Sequence, residues 1–159
     1  MKTHDEINFA TQCEQDRIIQ LEDESTFGKH LWNYYEFISW AKWYPDLYVE
    51  LFKGKDSNRQ LHFDQRTFMR SDMRFMSMYG TFSRGYAKTY TEMLDDMIAG
   101  TLFPNITMSV TAQTRENSAA LMEDKYNEIL TDFPLFENEI EKVRFSKNDA
   151  LIQFKGGAK

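Results

Sequence analysis

The stretch Gly80-Thr81-Phe82-Ser83-Arg84-Gly85-Tyr86-Ala87-Lys88-Thr89 decides how the rest of the chain is read. Before it stands Phe75-Met76-Ser77-Met78-Tyr79, a short, mostly apolar run suited to a buried parallel strand. After it, Tyr90, Met93, Leu94, Met97 and Ile98 recur at the spacing of one helix face, and Gly100 reads as the helix stop. Strand, loop and helix thus follow in the order of a phosphate-binding turn. At such a helix start a lysine ammonium reaches β/γ-phosphates and a threonine hydroxyl ligates Mg²⁺. The unpaired amides of the first turn and the helix dipole add a site for anions.

The match to G-x-x-x-x-G-K-[ST] is incomplete. Counting back from Lys88, the two glycines fall at Phe82 and Ala87, and neither is Gly. The methyl of Ala87 crowds a point where backbone approaches phosphate closely. On spacing alone, a surface turn before a core helix, with Lys88 merely solvated, stays open beside the phosphate reading.

Working outward, Ile106, Met108, Val110 and Ala112 alternate with Thr107, Ser109 and Thr111, which predicts a strand. Arg115 to Leu130 follows as a helix with Ala119, Met122, Tyr126, Ile129 and Leu130 on one face and Thr114 as its cap. Val143-Arg144-Phe145 and Ala150-Leu151-Ile152 flank a polar turn and read as a hairpin. Upstream, Asp64 to Met73 reads as a helix that lines up Arg66, Arg70 and Arg74 along one side. That row suits DNA phosphates, a neighbouring subunit's nucleotide, or simply a solvated basic face. Met93-Leu94-Asp95-Asp96 carries paired carboxylates with no apolar run leading into them, which reads as a solvated acidic face.

Towards the N-terminus, Lys53 to Arg59 is a polar loop and the best candidate boundary between an N-terminal helical piece and the core. Leu31, Trp32, Tyr34, Tyr35, Phe37, Ile38, Trp40 and Trp43 form an aromatic-rich helical run that Pro45 ends. Without interleaved Lys or Arg such a stripe suits packing better than nucleobase stacking. A short helix is expected around Cys13 to Leu21.

The 159 residues suffice for one domain, and at 42% hydrophobic and 15% aromatic they suffice for a core. A net charge of −6 excludes nucleic-acid binding by bulk charge and leaves only a local patch to do it. The single cysteine, Cys13, permits no internal disulfide, and His4, His30 and His62 are scattered without metal-ligand spacing. No apolar run is long enough to span a bilayer. The order strand–loop–helix–strand–helix–hairpin predicts an α/β fold with a partly parallel sheet and flanking helices.

The run from Gly80 to Thr89 resembles the deviant Walker A loop of phage terminase large subunits, the ATPases that pump DNA into viral capsids. In that family a Ser-Arg pair often replaces the early glycine. Leu61-His62-Phe63-Asp64-Gln65-Arg66 resembles the family's adenine-recognition segment, centred on a glutamine. Leu102-Phe103-Pro104 and Ile106 to Thr114 resemble its second core strand and following loop, and Val143 to Phe154 its next hairpin. The resemblance covers the chain from about Tyr44 onward.

What the resemblance implies is an incomplete P-loop NTPase core over residues 60–159, preceded by an N-terminal helical segment over 1–59. It implies ATP and Mg²⁺ as cofactors, with Gln65, Ser83, Arg84, Gly85, Tyr86, Ala87, Lys88 and Thr89 around the nucleotide. Lys88 would neutralise phosphate charge, Thr89 would ligate Mg²⁺, and Arg84 would act as a cis trigger near the γ-phosphate. Pairing of Arg84 with a local carboxylate stays open. The implied partners are double-stranded viral DNA, portal protein, small terminase subunit and further copies in a ring, in the host cytoplasm. An apolar strand ending Asp-Glu and a nuclease domain are expected in the family and are not found here. That implies a fragment, inactive or weakly binding alone. A helicase-like ATPase and a non-catalytic interaction module are the alternatives.

Overall fold

The computed structural model describes residues 26–159 apart from 56, 76 and 77, and the helix expected around Cys13 to Leu21 lies outside them. The chain divides into two compact units, residues 1–43 and 44–159. In the first, α1 spans Thr26–Trp43 and contains the aromatic run. Much of that run faces outward: Tyr34, Tyr35, Phe37 and Trp40 are exposed, with the Phe37 and Trp40 rings stacked at 5.9 Å.

The second unit is built from short α2 (Pro45–Tyr48), a 3-10 turn (Val49–Phe52), α3 (Phe63–Asp72), α4 (Lys88–Leu102), α5 (Arg115–Asp132), a second 3-10 turn (Pro134–Asn138), β1 (Ile140–Ser146) and β2 (Asp149–Phe154). Pro45 starts α2 because its fixed φ suits a first helical position. The strands form an antiparallel hairpin that pairs Ser146 with Asp149 and Val143 with Ile152.

Helix α4 is the axis of the core. Tyr90, Met93, Leu94, Met97 and Ile98 are buried, as their spacing predicts. Each such side chain contributes about 1.5–3 kcal/mol when withdrawn from water. They share the interior with Met69 of α3, Ile129 of α5, Phe133 and Phe136, and Ile152 and Phe154 of β2. Phe52 lies parallel to Phe136 at 4.1 Å, so residues 44–52 belong to the core unit. The loop from Lys53 to Arg59 folds back on that unit, with Lys53 Nζ donating to the Arg59 carbonyl and Arg59 paired to Asp132 at 3.8 Å.

Thr114 caps α5 as expected, its hydroxyl accepting from Asn117 N at 3.1 Å. Gly100 does not stop α4, which runs two residues further to Leu102. Its role is close approach, since a Cβ there would lie 2.4 Å from the Phe154 ring.

The strand read at 75–79 differs more. Phe75 is 49% and Tyr79 91% exposed, and among the described residues no strand pairs with this segment. Residues 106–112 form no strand. Ile106 O accepts from Lys159 N at 2.9 Å, and Met108 N donates to Lys159 O at 2.8 Å, an exchange of the parallel type. Strand pattern alone builds no ladder, because backbone pairing requires a neighbour.

Candidate functional site

Residues 80–87 cross from α3 to α4 and end on two left-handed residues. Gly85 has φ 89° and open space around its α-carbon, so a residue without a Cβ is at ease there. Ala87 has φ 52° and ψ 34° at the N-cap of α4, a conformation that L-residues adopt only at a cost. The position that the phosphate-loop pattern reserves for glycine is thus the one whose backbone calls for it.

Lys88 is the first residue of α4 and Thr89 the second. Thr91 N donates to Ala87 O at 3.0 Å in the first intrahelical bond. The amides of Lys88, Thr89 and Tyr90 therefore precede the helical ladder, and Ala87 supplies no side chain to cap them. Lys88 is exposed and Thr89 half-buried. Ser83, Arg84, Gly85 and Tyr86 are also exposed, with Arg84 and Gly85 in the turn. A cavity of about 460 Å³ opens along this loop, lined by Ser83, Arg84, Lys88, Thr89, Lys125 and Glu128 among others. Lys125 comes from α5 and is paired with Asp124 at 3.0 Å and Glu128 at 2.6 Å.

Two contacts tie the loop to α3. Tyr86 donates its hydroxyl to Asp64 Oδ2 at 2.5 Å, which raises the phenol's pKa because ionisation would forfeit that bond. Gln65 is the deeper tie. It is 1% exposed, its Oε1 accepting from His62 N and its Nε2 donating to Thr91 Oγ1, both at 2.9 Å. Thr91 in turn donates to Ala87 O at 3.1 Å. Both ends of the Gln65 amide are thus engaged within the protein, and the chain of bonds braces the left-handed Ala87. The structure brings Gln65 to the loop, but as a brace.

The basic row on α3 is not a solvated face. Arg70 grips Asp46 with Nε at 2.6 Å and its terminal nitrogen at 2.9 Å, and Arg66 Nε reaches the same carboxylate at 3.0 Å. Asp46 is fully buried, so two guanidiniums neutralise one interior charge. The Asp46 hydrogen bonds hold the Arg70 pKa above its ordinary value. Arg74 lies over the Tyr44 ring at 5.9 Å.

The acidic pair on α4 likewise departs from its reading as a solvated face. Asp95 is 4% exposed, and neither of its carboxylate oxygens meets a hydrogen-bond donor. Burial first, and then the neighbouring Asp72 and Asp96, push its pKa up to about 9. Asp96 is pushed up to about 6, by burial and then by Asp72 and Glu92. These groups line a second cavity of about 600 Å³, which also touches Lys88, Thr89 and Lys125. Lys88, Glu92, Asp95 and Asp96 stand at i, i+4, i+7 and i+8. That spacing on one helix face was the available signal; the depth of Asp95 was not readable.

Among the described residues, no group of three His, Cys, Asp or Glu could hold a metal ion, and no helix is long and apolar enough to cross a membrane. No protein family, curated protein or solved structure matches the chain.

Proposed function

We propose that the chain is the ATP-binding part of a phage terminase large subunit, with an incomplete P-loop NTPase core around α4. The reading is carried by one observation: Lys88 and Thr89 open α4 immediately after a left-handed residue. That arrangement leaves the amides of Lys88, Thr89 and Tyr90 ahead of the helical ladder, beside a lysine and a threonine, the kinds of group that hold a polyphosphate. Lys88 neutralises β/γ-phosphate charge, the Thr89 hydroxyl takes a place on Mg²⁺, and amides from about Gly85 to Lys88 cradle oxygens. Ser83 and Tyr86 border the phosphates. Arg84, exposed in the turn, supplies the cation near the γ-phosphate in this reading. In the intact protein this site would drive packaging of double-stranded DNA through a portal, with a small terminase subunit and further copies in a ring, in the host cytoplasm.

The engaged amide of Gln65 favours a second reading, a non-catalytic interaction module that keeps the loop as a scaffold. Titration with a fluorescent ATP analogue, with and without Mg²⁺, separates the two. Weak, Mg²⁺-dependent binding that Lys88→Ala abolishes is the expected result. Equal binding by the wild type and Lys88→Ala refutes the nucleotide assignment.

A further inference from the structure

We propose that the acidic cavity between α3 and α4 binds a small organic monocation, a primary alkylammonium or alkylguanidinium, with Asp95 as its buried anchor and Asp72 and Asp96 beside it. The proposal does not depend on the nucleotide reading.

Asp95 carries it. A carboxyl 4% exposed, with no donor on either oxygen, is costly as an anion. It must hold a proton or receive a cation. The neighbour that it meets is the Asp72 carboxyl, another acceptor, so the two are content together only while sharing a proton. The charged groups facing the cavity are Asp72 from α3, Lys88, Glu92 and Asp96 from α4, and Lys125 from α5. Neither lysine serves as the missing partner. Lys125 is committed to Asp124 and Glu128. Lys88 lies seven residues away on the same helix, roughly 10 Å along its axis.

The chemistry of the walls selects the class of cation. Among the described residues, no group of three carboxylates or imidazoles could hold a metal directly. A cation that donates N–H bonds needs no such cage; it needs acceptors, and both Asp95 oxygens are buried without a donor. The cavity, about 600 Å³, exceeds what an ion alone would fill, and Phe68, Met78, Phe82, Met93 and Met122 give it apolar walls for an alkyl stem. Lys88 and Lys125 at the far side repel a second positive charge, so a monocation is favoured over a diamine.

Isothermal titration of the full chain with n-butylguanidinium tests this. Saturable binding is expected, weakened about tenfold or more in Asp95→Asn, the loss of one charge-assisted hydrogen bond. Affinity should rise between pH 7 and pH 9 by up to about tenfold per unit, because the cation displaces the shared proton. Buffers of different ionisation heat should report release of about one proton per ligand at pH 7. Asp72→Asn, at an exposed position, provides a second variant should Asp95→Asn fold poorly, and circular dichroism checks both. No saturable heat, or binding unchanged in both variants, overturns the proposal. So does Mg²⁺ displacing n-butylguanidinium with equal proton release, which would make the cavity a metal site.

Discussion

Replacing Ala87 by glycine should stabilise this protein, although glycine normally weakens a helix. Ala87 sits at φ 52° and ψ 34°, where its Cβ crowds the following carbonyl. That strain is about 1–2 kcal/mol for an L-residue and is absent for glycine. Against it stands the greater freedom of glycine in the unfolded chain, about 0.4–1 kcal/mol. Ala87 is exposed, so the lost methyl removes little packing. The balance is a gain of about 0.5–1 kcal/mol, or roughly 1–4 °C in Tm for a chain of this size. Calorimetry or circular dichroism melts of the wild type and Ala87→Gly measure it. If residue 87 were instead helical, glycine would cost about 0.5–1 kcal/mol. A fall in Tm of a few degrees therefore refutes the left-handed assignment, and the sign alone decides. Ala87→Val provides the converse, since branching at Cβ aggravates the same clash and should lower Tm.

Gly100→Ala should destabilise despite alanine's better helix propensity, because its Cβ would stand 2.4 Å from the Phe154 ring; about 1–3 kcal/mol is expected in urea unfolding, and a gain would refute the contact. Asp46→Asn leaves Arg66 and Arg70 without their shared counter-charge. Both guanidiniums are partly exposed and can rehydrate, so the expected loss is about 2 kcal/mol, short of a fully buried pair. Asp95 makes stability pH-dependent. Its folded pKa, about 9, is above the unfolded carboxyl value, so the folded state holds the extra proton and stability falls as pH rises toward 9. The slope is at most about 1.4 kcal/mol per pH unit from this group, and Asp95→Asn should flatten urea midpoints measured from pH 6 to pH 9.

The helices were legible because their signals are local. The apolar face of α4, the Thr114 cap of α5 and the polar turn between Ser146 and Asp149 all follow from neighbouring residues, and each appears where the spacing puts it. The extended segments were not legible in the same way. Residues 75–79 and 106–112 have strand composition, but a ladder depends on what lies alongside, and among the described residues only Ile106 and Met108 pair across to a distant segment, at Lys159. Gly100 misled for a related reason. A helix-ending glycine and a glycine making room for an aromatic ring look alike until Phe154, 54 residues further on, comes into view.

The polar residues show the same limit more sharply. A row of arginines every fourth residue states that they share a face, not that a buried Asp46 lies across from it. Gln65 and Asp95 are both polar, both on helices and both almost wholly withdrawn from water, yet their situations are opposite. Gln65 has a partner at each end, from His62 and Thr91, and so stabilises the approach to α4. Asp95 has no donor at either oxygen and so stores a demand for a proton or a cation. Nothing in the order of residues distinguishes a satisfied polar group from an unsatisfied one; only the count of partners around each atom does. That count makes Gln65 a brace for the loop in this conformation, and makes the cavity beside Asp95 the place where a positive charge would be most welcome.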